Sequence, residues 1–370
     1  MKRLATLATV LFLYTSAYAQ MGAVTMPPSG ANQKSSVTQW MGLVSVTITY
    51  NSPDVTSPSG QDRTGQVWGR LVPYGLVNLG FGSCGEACPW RAGANENTVL
   101  TVSHDVEVQG QPLAAGSYGV HLIPQEEGPW TLILSNNSTA WGSFSYDQAE
   151  DALRVEVTPK EHAFTEWLTF AFTDRQLDQT TAELQWENLA IPFTIAVPDI
   201  NEIYMTKLRQ ELQSTGGFAW YGWNRAARFA LRTQAYPEEA LAWAEQATGW
   251  GANATTKTTL AWAQAANGQT DDARATIQQV ANDETGTASA INQLARGFLS
   301  AEQPALAMAA FEANAAKHPD AFVSHYGLAL GHQAQGNLDQ ARTHAQHAAE
   351  RASNPREQRT VEALMGRLEN

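Results

Sequence analysis

Four alanines recur at a nearly constant interval in the C-terminal third of the chain, at Ala240, Ala273, Ala307 and Ala341. Their spacings are 33, 34 and 34 residues (273 − 240, 307 − 273 and 341 − 307). A small residue is needed wherever two packed helices cross, because a larger side chain would push them apart. We therefore expect paired helices that stack into a superhelix with a concave face.

The residues around these alanines follow the same period. Leucine stands 13 positions before the last three, at Leu260, Leu294 and Leu328, and Gly268 and Gly336 lie at the expected turns. This period and register are typical of tetratricopeptide repeats. The predicted segments are a connecting helix over 201–220, four tetratricopeptide-like helix pairs over 221–354 and a capping helix over 355–370.

The first residues have the three parts of a secretion signal. Lys2 and Arg3 are basic, Leu4 to Tyr14 are mostly apolar, and Ala17-Tyr18-Ala19 has the small-x-small pattern of a cleavage site. The apolar run is too short to span a bilayer. We expect a signal peptide over 1–19, cleaved after Ala19, then a flexible segment over 20–34, in a periplasmic or secreted protein that does not span the membrane.

The charge balance argues against nucleic acid as a partner. The chain has 23 basic and 36 acidic residues, so removal of Lys2 and Arg3 leaves 21 against 36, a net charge of −15. Such a surface repels phosphate backbones. We found no Gly-rich phosphate loop and no Gly-x-Ser-x-Gly nucleophile motif, and the sequence predicts no cofactor.

Alternating apolar and polar residues dominate the chain before residue 200. Val44, Val46, Ile48 and Tyr50 alternate with serine and threonine, which is the period-two pattern of a strand with one buried face. Many short strands without intervening helices favour an antiparallel β-sandwich or barrel, here over 35–200, followed by the all-α solenoid. The further predicted strands lie at 100–108, 118–122, 130–134, 153–157, 168–172, 182–186 and 191–197.

Several runs in this segment resemble the DUF2911 family, secreted bacterial proteins of unknown function found largely in Bacteroidetes and relatives. The runs include residues 67–75 (VWGRLVPYG), 90–98 (WRAGANENT) and 141–146 (WGSFSY). The resemblance covers about residues 35–197, and some members are similar to this chain in carrying C-terminal tetratricopeptide repeats. Because the family has no established activity, the resemblance implies a fold and no mechanism.

Cys84 and Cys88 are the two cysteines of the chain, in a Gly-rich loop. In an oxidising compartment such a close pair most simply forms a local disulfide. The loop lies in an insertion, about Asn78 to Pro89, relative to the family pattern. We therefore expect the disulfide to shape a surface feature particular to this protein.

Arg91, Asn95 and Glu96 are the most notable polar group before residue 200. At a loop-to-strand junction they could line a pocket, with Arg91 binding a carboxylate or Glu96 acting as a base. The alternative, which we favour, is structural: Arg91 pairs with Glu96 while Asn95 bonds turn backbone.

Tryptophans offer a second candidate ligand surface. Trp68, Trp90 and Trp141 flank glycines or turns, where exposed rings could stack on sugar faces, whereas Trp130 and Trp186 share parity with core aliphatics and are expected to pack. Carbohydrate is thus a possible ligand of the β domain.

Strand parity places His104 towards the core and His121 towards solvent or a second layer. Neither histidine, nor Glu96 or His162, has a recognised metal-ligand spacing. We therefore predict no metal site.

The favoured function is non-enzymatic: a secreted or periplasmic binding or scaffold protein whose repeats hold a protein or peptide. The alternative is a carbohydrate-binding module or hydrolase with its site around Arg91, Asn95 and Glu96. A neutral or basic groove in an acidic protein suits an acidic peptide. The candidate groove residues are Asn224, Arg228, Lys257, Arg296, His325 and His332.

Overall fold

Two antiparallel sheets form the N-terminal unit of this computed structural model, which describes residues 31–369. The chain divides into two units at Ile200 and Asn201. The predicted signal peptide and most of the predicted flexible segment lie outside the described residues. The strands are β1 (Gln33–Met41), β2 (Val44–Ser52), β3 (Thr98–Val102), β4 (Val106–Val108), β5 (Gln111–Leu113), β6 (Gly116–Ile123), β7 (Trp130–Ser135), β8 (Asp151–Val157), β9 (Lys160–Thr173) and β10 (Gln179–Ala196).

The strand order is β1-β2-β3-β6-β7-β8 in one sheet and β5-β4-β10-β9 in the other. Their apolar faces meet: Tyr50 on β2 packs edge-to-face on Phe170 of β9, with ring centroids 5.0 Å apart. Leu100 and Leu132 of the first sheet and Leu184 of the second are almost completely buried. The predicted antiparallel β-sandwich is confirmed.

The predicted strand over 100–108 is divided between the two sheets, which makes the prediction for His104 wrong. β3 ends at Val102 and β4 begins at Val106, so His104 lies in the turn between them. A turn breaks the period-two alternation on which its inward placement depended. The ring is half-buried, and its Nδ1 lies 2.9 Å from the Ser103 hydroxyl.

His121 was expected to face solvent or a second layer, and the structure shows the second of these. The side chain lies on β6 and is 2% exposed. This face of β6 is covered by the segment that contains Ser143 and Tyr146: the Ser143 hydroxyl lies 2.9 Å from His121 Nδ1, and the Tyr146 ring packs on the imidazole. β6 is therefore buried on both faces, and parity no longer separates inside from outside.

Two further strands differ from the sequence pattern. The strands expected at 182–186 and 191–197 are one 18-residue strand, β10, whose register against β9 shifts around Glu187, at a φ of 53°. β1 was not predicted because most of its residues are exposed or half-buried. It forms a hairpin with β2 through Gly42, at a φ of 58°.

Helices make up the second unit. Their bounds are α1 (Ile200–Leu212), α2 (Trp220–Thr233), α3 (Pro237–Trp250), α4 (Ala254–Ala266), α5 (Thr270–Asn282), α6 (Ala288–Ser300), α7 (Pro304–Lys317), α8 (Phe322–Ala334), α9 (Leu338–Arg351) and α10 (Pro355–Glu369). Four pairs, α2/α3 to α8/α9, follow one another. Their first helices begin at residues 220, 254, 288 and 322, each 34 after the last.

The repeated alanines are the buried contact points of the second helix in each pair. Ala240, Ala273, Ala307 and Ala341 are all completely buried, on α3, α5, α7 and α9. At the last pair, α10 packs through residues that include Leu364 against the buried alanines of α9. The predicted tetratricopeptide-like solenoid is confirmed.

The segment expected as one helix over 201–220 is interrupted. α1 ends at Leu212, and a 3-10 turn, Thr215–Phe218, precedes α2. A Cβ on Gly217 would clash with the Leu212 carbonyl oxygen, so the close return of the chain needs glycine here. Over the described part of the chain, the helices are too short or too polar to cross a bilayer.

Candidate functional site

A cleft of about 1000 Å³ opens between the first helices of the first three pairs, α2, α4 and α6. We call it the concave cleft. First helices face the inside of a stacked superhelix, so the position agrees with the repeat architecture. The cleft is lined by polar and apolar groups, including Leu231, Trp262 and Phe298.

Three arginines of α2 line the concave cleft: Arg225, Arg228 and Arg232. Their spacings of three and four residues place them on one helix face. All three side chains are exposed, and the salt bridges found among residues 31–369 do not include them. Glu302 brings one negative charge to the lining. The cleft therefore has a net positive wall within an acidic protein.

Trp262 on α4 forms an aromatic part of the cleft. Its Nε1 donates a hydrogen bond of 2.9 Å to the Leu294 carbonyl oxygen, which attaches the indole to α6. The Arg228 guanidinium lies 5.5 Å from the ring centroid, within the range of a cation–π contact. Gly297 lies against the edge of the ring that includes Nε1, since a Cβ there would stand 2.5 Å from Nε1 and Cε2. The arginine and the indole thus form one surface.

The structure separates the predicted groove residues. Asn224 and Arg228 line the concave cleft, although Asn224 is 4% exposed and belongs to the wall. Arg296 is exposed on α6 but is not part of the cleft lining. His325 and His332 lie on α8, where His332 stacks on His344 of α9. Arg225 and Arg232 were missed, although the arginine spacing on α2 is readable in the sequence.

Lys257 is engaged within the repeats. Its ammonium lies 2.6 Å from the Asp283 carboxylate, and both side chains are largely buried. The hydrogen bond from Lys257, together with those from Thr285, lowers the pKa of the Asp283 carboxyl to about 2. The contact between Lys257 and Asp283 holds α4 to the end of α5. The Lys257 ammonium is thus already paired within the repeats, and its position does not support a role in partner binding.

In the β domain, the Arg91 guanidinium donates a 2.6 Å hydrogen bond to the Asn95 carbonyl oxygen and lies over the Phe144 ring, 4.9 Å from its centroid. The Glu96 carboxylate instead accepts a hydrogen bond of 2.8 Å from Asn51. The expected Arg91–Glu96 pair is not among the ion pairs of residues 31–369. Asn95, at a φ of 57°, supplies the left-handed residue of this turn. Arg91 and Glu96 are therefore each bonded within the β domain, but to different partners.

Trp68 and Trp90 belong to a cluster of four tryptophans. Trp68 packs edge-to-face on Trp90, Trp130 and Trp186, with ring centroids 5.1 to 5.8 Å apart, and Trp90 stacks on Trp186. These two rings contact one another and the other two tryptophans, and both side chains are half-buried. Trp141, 58% exposed, keeps an accessible ring.

The imidazole of His121, which the charge of Arg91 influences, is held neutral. Burial, with a contribution from the positive charge of Arg91, lowers the pKa of the imidazole to about 4. A neutral histidine bonded to Ser143 serves the packing of β6. The expected disulfide is present: Cys84 and Cys88 are joined, with their Cα atoms 5.3 Å apart.

Family models match part of each of the two units of the chain. Residues 32–195 match the family model described as "Protein of unknown function (DUF2911)". Residues 254–279 and 323–347 match the tetratricopeptide repeat model. No curated protein matches the sequence.

Several solved structures resemble less than half of this chain. A thermophilic TPR protein of Thermus thermophilus is 16% identical, covers 45% of this chain and 90% of its own, and has a TM-score of 0.31. MamA, from residue 41 to the end, of Desulfovibrio magneticus RS-1 is 17% identical over 40% of this chain and 93% of its own, with a TM-score of 0.26. The C-terminal part of a TPR repeat-containing protein from Cytophaga hutchinsonii is 14% identical over 45% of this chain and 65% of its own, with a TM-score of 0.32. By the family models alone, residues 32–195 match DUF2911, and residues 254–279 and 323–347 of the C-terminal part match the tetratricopeptide repeat.

Proposed function

We propose that the protein is a secreted or periplasmic scaffold whose concave cleft binds an acidic peptide segment of a partner protein. The observation that carries the proposal is the exposed arginine face of α2 beside Trp262. Tetratricopeptide repeats are protein-interaction modules, and a cleft between their first helices has the shape to take an extended or helical segment.

Charge favours an acidic ligand. Arg225, Arg228 and Arg232 present guanidinium groups that can bind carboxylates with two hydrogen bonds each. The net charge of the whole chain is −13, so an acidic partner would be repelled elsewhere and attracted here. The charge pattern therefore favours binding of an acidic partner at the concave cleft.

The apolar lining suits a ligand that also has hydrophobic side chains. Leu231, Trp262 and Phe298 are part of the wall, and the Trp262 indole is fixed by its bond to Leu294. A rigid aromatic ring binds with little loss of side-chain entropy. The proposed ligand is thus a peptide with carboxylates and one or two apolar residues.

The location is part of the proposal. It is supported by the basic, apolar and small-residue regions at Lys2 to Ala19 and by the Cys84–Cys88 disulfide. N-terminal sequencing of the protein from a periplasmic or extracellular fraction should begin at Gln20. Recovery of the intact chain from the cytosol alone, still beginning at Met1, would contradict it.

Peptide binding is tested with the full chain and a fluorescein-labelled, Glu-rich dodecapeptide that contains two leucines. Fluorescence anisotropy should show saturable binding that weakens as NaCl rises. Replacement of Arg225, Arg228 and Arg232 by glutamine should weaken it at least tenfold, and a Lys-rich peptide should not bind.

The matched control replaces three exposed arginines of α10, Arg356, Arg359 and Arg367, by glutamine. This variant removes the same charge from outside the concave cleft and should bind as the wild type does. Equal weakening by the two triple variants would mean non-specific attraction and would overturn the proposal. Circular dichroism should show that both variants keep the helical content of the wild type.

A further inference from the structure

Four of the eight histidines of the chain meet between the two helices of the last pair. His325 and His332 are seven residues apart on α8, and His344 and His347 are three apart on α9. Those spacings place each pair on one side of its helix. The cluster therefore joins four imidazoles that come from two facing surfaces.

Three of these rings have the geometry of a ligand set. One ring nitrogen from each of His325, His344 and His347 lies within 4.8 Å of those of the other two. The His347 ring is nearly perpendicular to the other two, at interplanar angles of 84° and 85°. Three nitrogens this close, on rings of different orientation, can point at a common centre.

The hydrogen bonds of these histidines leave the Nδ1 lone pairs of His325 and His344 unused. His325 Nε2 donates to the Pro319 carbonyl oxygen at 2.8 Å, so its Nδ1 is the unprotonated nitrogen. That Nδ1 is buried without a hydrogen-bond partner within residues 31–369, and the same is true of His344 Nδ1. A backbone carbonyl that fixes the tautomer of a histidine is the usual outer contact of a metal ligand.

We propose that His325, His344 and His347 bind one divalent transition-metal ion of the Zn²⁺ class, with one coordination position left open. Imidazole nitrogens prefer Zn²⁺, Cu²⁺, Ni²⁺ and Co²⁺ over the oxygen-seeking Ca²⁺ and Mg²⁺. Three histidines and an open position are a coordination that Zn²⁺ adopts in proteins.

Groups of both charges lie near the three imidazoles. Arg351, whose positive charge acts on His325, forms an ion pair of 3.6 Å with Glu350 and donates to the His347 carbonyl oxygen. Asp320 lies close enough to influence His325 and supplies a negative charge.

A small adjustment completes the site. Bonds of about 2.0–2.1 Å place tetrahedral ligand atoms roughly 3.3 Å apart, so nitrogens that lie within 4.8 Å of one another must approach by at most about 1.5 Å. All three side chains are half-buried. His332 stacks on His344 with ring centroids 5.3 Å apart.

The test uses the full chain without an affinity tag and titrates Co²⁺, followed by its visible absorption, and then Zn²⁺ in competition. One Co²⁺ per chain should bind with absorption typical of tetrahedral coordination, and one Zn²⁺ should displace it. His344→Gln and His347→Gln should each weaken binding at least tenfold, whereas His104→Gln, in the β domain, should leave it unchanged.

Thermal unfolding provides a readout that does not depend on a variant. At about a hundredfold excess of Zn²⁺ over its dissociation constant, the melting temperature of the wild type should rise by roughly 5 °C. NMR should show the Cε1 protons of His325, His344 and His347 shifting together at one equivalent. No saturable binding, or binding unchanged in both variants, would overturn the proposal.

Discussion

The indole of Trp262 lies against Gly297 so closely that a methyl group on Gly297 would stand 2.5 Å from two of its atoms. Contact at this distance cannot be relieved within Trp262 alone, because the ring is attached to the Leu294 carbonyl through Nε1. The concave cleft therefore depends on the absence of a side chain at one position of α6.

We expect Gly297→Ala to destabilise the helical unit by about 1–3 kcal/mol, because overpacking displaces the indole. The free energy of unfolding in urea, followed by circular dichroism, measures it. The control is Gly249→Ala on α3, where nothing lies within 4 Å of the added Cβ. That change should be neutral or stabilising by up to about 1 kcal/mol, and an equal loss in both variants would contradict the account.

The repeated alanines lead to a second prediction. Ala307→Leu should cost about 1–3 kcal/mol in the free energy of unfolding, because Ala307 is completely buried where two helices cross. Ala305, two residues earlier on the same helix, is exposed, and Ala305→Leu should change stability by less than about 0.5 kcal/mol. Similar urea midpoints for the two variants would show that the register position has no special role.

His121 should make the β domain sensitive to acid. Its pKa is about 4 in the folded chain and 6.5 when unperturbed. Below pH 6.5 the unfolded chain takes up a proton that the folded chain does not. The contribution of neutral His121 to the free energy of unfolding is therefore complete above pH 6.5 and is lost as the pH falls towards 4. The free energy of unfolding falls by about 3 kcal/mol over this range.

Urea unfolding at pH 7.5 and pH 4.5 measures this effect. His121→Gln should have a smaller difference between the two pH values than the wild type, whereas His104→Gln should keep the wild-type difference. An unchanged pH dependence in His121→Gln would assign the acid sensitivity to other groups.

Removal of the Lys257 ammonium should change the pKa of Asp283. Lys257→Met should raise the pKa of the Asp283 carboxyl from about 2 towards its ordinary value of 3.8, although the Thr285 hydrogen bonds will retain part of the shift. NMR titration of the side-chain carboxyl carbon measures it. Arg296→Met removes an exposed charge of α6 and should leave this pKa unchanged. A partner whose binding is lost in Lys257→Met with no change at Asp283 would restore Lys257 to the binding surface.

The repeat architecture could be predicted because its physical cause is local and periodic. Ala240, Ala273, Ala307 and Ala341 are small for the same reason in each pair, so one constraint appears four times in the sequence. The β-sandwich was predictable as a class because strand alternation is also local. The assignment of its strands to the two sheets was not predictable. Val102 and Val106 continue one alternation, yet a turn separates them and they lie in different sheets.

The sites were harder to predict, because they depend on contacts between residues distant in sequence. Glu96 bonds to Asn51, not to the nearby Arg91. The histidine cluster has no recognised motif, since its three close members lie 19 and 3 residues apart (344 − 325 and 347 − 344) on two helices. Only the packing of α8 on α9 brings them together. The arginines of α2, by contrast, share one helix, and their common face follows from spacing alone.

The equal 34-residue step between first helices has an evolutionary consequence. Duplication of any block of this length would add a helix pair in phase, with its small residues facing the crossings already formed, because each pair contacts mainly its neighbours. The binding surface can thus lengthen by whole units, and relatives with more or fewer pairs would hold longer or shorter segments of their partners without a redesigned core.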